Sequence, residues 1–114
     1  DETVLLIVER WLQRQGYRVS AFSDPQVALE AFRAAPMSVD VVVTDFNMPV
    51  MSGLALAEAM TALRPGMPIV LSSGYVTQEL RRDARGAGVS EVIYKEDTFD
   101  QLGALLHRLL EQKP

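Results

Sequence analysis

Residues 39–44, VDVVVT, are all β-branched except Asp40, and this short run ends directly at Asp45. Such a run, bounded by turn residues, is typical of a strand buried on both faces of a parallel sheet. Pro49 and Gly53 then require a loop. A carboxylate directly after a buried strand is costly to desolvate unless the strand stops there and the side chain faces a cleft. We therefore expect Asp45 at the carboxyl end of a central strand, the edge at which open α/β sheets bind ligands.

Strand-like and helix-like segments alternate along the whole chain, which predicts a doubly wound parallel sheet covered by helices on both faces. Asp24 before Pro25 marks a helix start, and Thr98 with Gln101 matches a capping box. The predicted helices cover residues 3–15, 24–35, 54–63 and 77–85 and begin again at 98. The predicted strands cover residues 18–22, 39–44, 68–72 and 89–94.

The beginning of the chain allows two interpretations. Residues 3–8 have strand-like composition, but a strand there leaves fewer than the roughly dozen residues that a parallel crossover needs. Apolar residues at helical spacing through Trp11 favour a helix instead. On that interpretation the first strand of the sheet lies outside this sequence, and we expect residues 1–114 to be a single, N-terminally incomplete domain without an output domain.

Composition narrows the functional classes. The chain has 114 residues, enough for one domain, and 48% of them are hydrophobic. A net charge of −4 disfavours nucleic acid as a direct partner. No apolar run approaches the roughly 20 residues that span a bilayer, so no membrane segment is expected here. The absence of cysteine fits a cytoplasmic location.

Three polar side chains follow three successive predicted strands: Asp45, Ser73 and Lys95. The carboxyl ends of parallel strands share one edge of a sheet, so we expect these side chains to converge. A carboxylate can attack phosphorus, while a hydroxyl and an ammonium can hold phosphoryl oxygens. Phosphoryl transfer also needs a divalent cation, and Mg²⁺ would take Asp45 and a backbone carbonyl near Asn47.

Each of these residues also has a simpler interpretation when it is taken alone. Asp45 could cap a turn, Ser73 could be an ordinary turn residue, and Lys95 could be a solvated charge. Their shared position at successive strand ends favours the functional interpretation.

With these residues placed, the chain resembles the receiver domain of two-component response regulators. The segment VVTDFNMPVMSG around Asp45 resembles the phosphoacceptor loop of that family. LSSGY around Ser73 and YK at Lys95 are similar to its hydroxyl and lysine positions. Within this segment, the motif SSGY is most similar to the corresponding motif of receivers attached to hybrid histidine kinases. The resemblance implies a flavodoxin-like fold with strand order 2-1-3-4-5.

The resemblance also implies roles for individual residues. Asp45 would accept phosphate from a histidine kinase or a histidine phosphotransfer protein. Ser73 and Lys95 would hold the phosphoryl group, and Gly74 would leave access for the phosphodonor. Asn47 would offer its backbone carbonyl to Mg²⁺. The domain would assist its own phosphorylation and dephosphorylation without being an enzyme in its own right. A homodimer through the last two helices and the last strand is a further expectation.

Three departures from the family pattern bear on these expectations. The acidic pair that binds metal at the end of the family's first strand would precede Asp1, so Asp1 or Glu2 could replace it only in part. Glu96 stands where a proline usually follows the lysine, and we expect a trans bond there because a cis bond would cost about 3–4 kcal/mol. Val92 stands where the family has its switch aromatic.

Two other functional classes stay open at this point. A degenerate receiver-like module would bind partners without taking phosphate, which the departures favour. A phosphatase of the haloacid dehalogenase type would also use an aspartate after a strand. That class needs a second acid two residues later, where this chain has Asn47.

Overall fold

The structure, a computed structural model, describes residues 2–48 and 51–111, the first four of these by their backbone only. The helices are Glu2–Arg14 (α1), Pro25–Ala34 (α2), Gly53–Leu63 (α3), Gln78–Gly86 (α4) and Thr98–Glu111 (α5). The strands are Val42–Asp45 (β1), Ile69–Ser73 (β2) and Glu91–Tyr94 (β3). Two single-turn 3₁₀ helices cover Pro36–Ser38 and Lys95–Asp97.

Within the described residues, the three strands form one parallel sheet in the order β1-β2-β3. Asp45 lies opposite Ser72, and Ser73 lies opposite Tyr94. Strand order thus follows chain order, with α3 connecting β1 to β2 and α4 connecting β2 to β3. The consequence for function is that all three strands end at the same edge of the sheet.

The central strand β2 contributes to a hydrophobic core on each face of the sheet. Ile69 and Leu71 pack into a cluster with residues of α2, α3 and α4, and Val70 packs into a second cluster with residues of α1 and α5. All three side chains are fully buried. The prediction of a doubly wound α/β fold with helices on both faces is therefore confirmed.

The helical interpretation of the beginning of the chain is also confirmed. Trp11 of α1 meets Phe99 of α5 edge to face, with ring centroids 5.7 Å apart, and it also lies against Gly103. This contact places α1 and α5 on the same face of the sheet. No helix among the described residues is long and apolar enough to cross a bilayer.

The predicted strand over residues 18–22 was wrong, because these residues form neither a strand nor a helix. In the strand order 2-1-3-4-5 that the resemblance implies, a strand here pairs only with one that precedes α1. The described part of the chain contains no such strand, so the backbone of residues 18–22 has no ladder to join. Val19 still packs against the cluster formed by α1 and α5.

Helix starts follow the sequence signals, with one exception. Asp24 accepts a hydrogen bond from the amide of Gln26 (2.9 Å) and caps α2 as predicted. The capping box at Thr98 was wrong, because Thr98 has helical dihedral angles and its hydroxyl donates to the carbonyl of Lys95 (2.8 Å). The 3₁₀ turn at Lys95–Asp97 leads straight into α5, so Thr98 is already inside the helical segment.

Side-chain hydrogen bonds also hold the segment just before β1 in place. The guanidinium of Arg64, at the end of α3, donates to the carbonyl of Pro36 (3.0 Å) and to that of Val39. Arg64 thereby satisfies two carbonyls in a connection that has little regular structure of its own. This contact fixes the path by which the chain enters β1.

Candidate functional site

Asp45 is the last residue of β1, and its side chain is half-exposed at the edge of the sheet (46%). The amide of Phe46 still donates to the carbonyl of Ser72 (2.8 Å), so the backbone leaves the sheet only after Asp45. The carboxylate is therefore held by a paired strand and yet is open to a reactant from solvent.

The loop after Asp45 closes back on it through Gly53. The amide of Gly53 donates to the carbonyl of Phe46 (2.9 Å). A Cβ built on Gly53 would overlap the carbonyl oxygen of Asp45 and would lie 2.7 Å from Cδ1 of Leu71. Only glycine fits there. The start of α3 therefore rests directly on the backbone that carries the carboxylate.

Two hydroxyl groups support this loop. Ser52 accepts a hydrogen bond from the amide of Ala55 (3.1 Å) and caps α3. The buried hydroxyl of Thr44 lies 3.2 Å from the carbonyl oxygen of Asp45 and 3.7 Å from the sulfur of Met48. The backbone around Asp45 is thus held on both sides.

Lys95 directly follows β3 and reaches the site across the sheet. Its Nζ lies 3.7 Å from Oδ2 of Asp45, and both side chains are about half-exposed. Ion pairs at this level of exposure contribute only about 0–1 kcal/mol to stability. The described residues contain no cis peptide bond, so the expectation of a trans Lys95–Glu96 bond is confirmed.

Ser73 ends β2 next to these two residues, but its hydroxyl is turned elsewhere. The side chain is buried (3% exposed) and donates to the carbonyl of Tyr75 (2.8 Å). It also accepts from the amide of Tyr75 (3.2 Å). The three strand ends are therefore adjacent as expected, while the direct polar contact joins Asp45 to Lys95 and leaves Ser73 bonded to its own loop.

The remaining predicted residues lie around this edge or outside the described part. Gly74 is exposed, and a Cβ built on it would meet nothing within 4 Å. Asn47 is exposed in the loop after Asp45. Asp1 and the side chain of Glu2 lie outside the described residues. The space over Gly74 is compatible with the approach of a large reactant.

A metal ion has a limited set of ligands among the described residues. They contain no group of three or more His, Cys, Asp or Glu side chains that could hold an ion. Mg²⁺ in phosphoryl-transfer sites is often held by one or two carboxylates with waters and phosphate oxygens. The half-exposed carboxylate of Asp45, with the exposed residue Asn47 two positions later, supplies one carboxylate and so fits the lower end of that range.

Sequence reasoning missed three contacts at this site. These are the contact of Thr44 with Met48, the steric requirement for Gly53, and the pair of hydrogen bonds between Ser73 and Tyr75. The last had a usable signal, because serine hydroxyls often bond the backbone two residues ahead in a turn. The requirement for Gly53 depends on how closely α3 approaches β1, which the linear sequence does not encode.

Comparison with known proteins assigns this arrangement to a family. Residues 1–107 match the family model of the response regulator receiver domain. The chain belongs to this family. In this receiver domain an aspartate, a serine hydroxyl and a lysine stand at three neighbouring strand ends.

Individual relatives agree with the family assignment. The receiver is 30% identical to the transcriptional regulatory protein ZraR of Escherichia coli strain K12, over 91% of this chain and 23% of ZraR. It is 29% identical to the transcriptional regulatory protein PrrA of Mycobacterium leprae, over 99% of this chain and 48% of PrrA. The chain thus spans less than half the length of these curated relatives.

A solved structure matches the fold of this receiver. The crystal structure of a response regulator receiver domain protein from Clostridium thermocellum superposes with a TM-score of 0.91 at 24% identity. The match covers 98% of this chain and 89% of the other. The flavodoxin-like receiver fold predicted from the sequence is confirmed.

Proposed function

We propose that this receiver domain takes a phosphoryl group onto Asp45 from a phosphohistidine of a histidine kinase or a histidine phosphotransfer protein. The observation that carries this proposal is the half-exposed carboxylate of Asp45 at a strand end with Nζ of Lys95 3.7 Å away. Because both side chains are about half-exposed, a reactant from solvent can reach the carboxylate and the ammonium together.

The transfer is a substitution at phosphorus. A carboxylate oxygen of Asp45 attacks, the bond from phosphorus to the histidine nitrogen breaks, and the imidazole keeps the electron pair. The product is an acyl phosphate. The ammonium of Lys95 lies where it can neutralise charge on a phosphoryl oxygen. Mg²⁺, held by Asp45 and the carbonyl of Asn47, would supply further charge neutralisation.

Two neighbouring residues have proposed roles in this transfer. The hydroxyl of Ser73 would donate to a phosphoryl oxygen after turning away from Tyr75. The open space over Gly74 would admit the donor imidazole. With these groups the domain would assist its own phosphorylation and dephosphorylation, which makes it a phosphorylation switch and not an enzyme with an external substrate.

We further propose that α4, β3 and α5 form the surface that changes partner affinity, including pairing with a second copy. Glu91 of β3 accepts a hydrogen bond from Arg108 of α5 (2.9 Å), and Arg81 lines the same groove. The surface therefore carries both charges next to apolar Val92 and Leu105. A bacterial, cytoplasmic phosphorelay is the proposed setting, with a hybrid histidine kinase as parent and no direct contact to nucleic acid or membrane.

One alternative is supported by specific observations. A degenerate receiver-like module would bind partners without taking phosphate. In its favour, the hydroxyl of Ser73 is bonded to Tyr75, and the described residues contain no cluster of three potential metal ligands. Phosphorylation chemistry separates the two functions directly.

The test is incubation with acetyl phosphate and Mg²⁺, followed by intact-mass measurement. The proposal expects a mass increase of one phosphoryl group in the parent protein and none in Asp45→Asn. Asp83→Asn, which changes an exposed acid of α4, is the matched control and should label like the parent. Equal labelling of Asp45→Asn and the parent, or no labelling of either, would contradict the proposal, and the second result would favour the degenerate module.

A further inference from the structure

Ser72 lies directly beside Asp45 in the sheet, and none of the roles proposed above uses its side chain. Building on the proposed phosphorylation of Asp45, we infer that Ser72 is a positioning residue for that carboxylate. During the transfer its hydroxyl donates to the carboxylate oxygen that does not attack phosphorus. The other carboxylate oxygen is thereby kept turned toward the phosphodonor.

Strand register places the side chain of Ser72 on the same face of the sheet as that of Asp45. The two residues are partners in the parallel pair of β1 and β2, so their side chains point the same way. Val70, two residues earlier in β2, packs into the cluster with α1 and α5, which identifies that face. Leu71 packs into the opposite cluster, and Ser73, two residues later, shares its face. Of the two serines, Ser72 is therefore the neighbour of the carboxylate.

The hydroxyl of Ser72 is available as a donor. Within the described part of the chain it makes no hydrogen bond, although the residue is only 4% exposed. Among the described residues, every side-chain oxygen or nitrogen that is sealed from solvent has a hydrogen-bond partner, so this hydroxyl keeps a small opening. Val70 and Ile93 on the same face are buried, and the opening therefore lies toward Asp45 and the end of the strand.

Neighbouring hydroxyls at this edge of the sheet are already used. The hydroxyls of Thr44 and Ser73 donate to the backbone carbonyls of Asp45 and Tyr75. A nearly buried hydroxyl without a partner is unfavourable for the fold, whereas an apolar side chain of similar size avoids that cost. Ser72 can thus donate to the carboxylate without giving up another hydrogen bond.

The carboxylate needs a donor of this kind when the transfer begins. Oδ2 of Asp45 lies 3.7 Å from Nζ of Lys95 in the unphosphorylated protein. In the proposed transfer that ammonium turns to a phosphoryl oxygen. One carboxylate oxygen then bonds to phosphorus, and the other becomes the carbonyl oxygen of the acyl phosphate. Adjacent strands lie about 4.8 Å apart, a width that a hydroxyl and a carboxylate bridge by leaning toward each other. Ser72 therefore fixes the rotation of the carboxyl group.

Three substitutions at this position separate the hydroxyl from the shape of the side chain. Ser72→Thr keeps the hydroxyl, Ser72→Val has the shape of threonine without it, and Ser72→Ala removes the hydroxyl without adding volume. With acetyl phosphate and Mg²⁺, Ser72→Thr should label within about twofold of the parent rate. Ser72→Val and Ser72→Ala should label about threefold to tenfold more slowly, which corresponds to loss of one ordinary hydrogen bond.

Chemical denaturation separates positioning from a structural role. Because the hydroxyl of Ser72 holds no other described residue, the denaturation midpoint of Ser72→Ala should be no lower than that of the parent. Ser90→Ala is the matched control. The hydroxyl of Ser90 accepts from the amide of Ile69 (3.3 Å) at the other end of β2. Its loss should lower the midpoint and leave the labelling rate unchanged.

The inference is overturned if Ser72→Thr labels no faster than Ser72→Val, or if Ser72→Ala labels at the parent rate. Slow labelling of Ser72→Ala together with a lowered midpoint also overturns it, because the hydroxyl would then support the fold. Each of these results leaves the proposed function intact as long as the parent protein is labelled. No labelling of the parent overturns both.

Discussion

The Cα of Gly53 lies so close to the backbone carbonyl of Asp45 that no side chain fits between them. The first prediction follows from this contact. Gly53→Ala should lower the free energy of unfolding by about 1–3 kcal/mol, the usual cost of overpacking. Because the displaced group is the backbone of Asp45, the proposed phosphoacceptor, labelling by acetyl phosphate should fall as well. Chemical denaturation and intact-mass measurement give the two values.

Gly86→Ala is a suitable control for that variant. Gly86 ends α4, and a Cβ built there meets nothing within 4 Å. Alanine at this position should be neutral or stabilise the protein by up to about 1 kcal/mol, because it lowers the entropy of the unfolded chain. If Gly86→Ala and Gly53→Ala lost equal stability, the steric argument at Asp45 would be wrong.

Replacing Lys95 separates function from stability. Lys95→Met keeps most of the apolar stem and removes the ammonium that lies 3.7 Å from Asp45. Stability should change by less than about 1 kcal/mol, as for other exposed ion pairs. The initial rate of labelling should fall at least about tenfold, since charge stabilisation at a reacting phosphoryl group is lost. Arg82→Met removes another exposed cation, and it should label at the parent rate.

Arg64 should matter for stability and not for the chemistry. Arg64→Ala leaves the carbonyls of Pro36 and Val39 without their donor, at a cost of about 1–3 kcal/mol in the free energy of unfolding. Arg33→Ala, which removes an exposed ion pair with Glu30, should cost less than about 0.5 kcal/mol. At temperatures where both variants are folded, we expect both to label like the parent. A large labelling defect in folded Arg64→Ala would show that this arginine acts on the site.

The contact between Trp11 and Phe99 has an optical readout. Phe99→Ala removes the edge-to-face partner of Trp11 at the junction of α1 and α5. Aromatic pairs of this kind contribute about 0.5–1.5 kcal/mol beyond the area that they bury. We expect a loss of that order in stability and a red shift of tryptophan emission as the indole becomes more hydrated. Unchanged emission would contradict the packing of α1 on α5.

Much of the fold could be predicted because its signals are local. Asp24 and Thr77 sit directly before helices and cap them, and the apolar run before Asp45 forms the expected strand. The error at residues 18–22 has a different cause. A strand depends on a partner for its backbone hydrogen bonds, and no neighbouring segment of sequence reveals whether the partner is present.

For the candidate site, too, the position of the residues could be predicted from the sequence, whereas the direction of one side chain could not. The proximity of Asp45 and Lys95 could be predicted, because hydrophobic periodicity locates the strands and parallel strands end at the same edge of a sheet. The direction of the Ser73 hydroxyl does not follow from this rule. A hydroxyl can rotate, and the acceptor that it bonds depends on small differences in distance, which the sequence does not give. The roles of Asp45, Ser73, Gly74, Asn47 and Lys95 stay predictions until the labelling experiments are done, and so do the expected domain boundaries.

The ion pair between Asp45 and Lys95 is not formed between neighbouring strands. β1 and β3 are separated by β2, so the two backbones stand about 10 Å apart, which is twice the ordinary spacing between strands. A short aspartate and a long lysine side chain together span that width. The pair therefore joins two strand ends that share no backbone hydrogen bond, and the distance between its charges depends on the spacing of β1 and β3 at this edge.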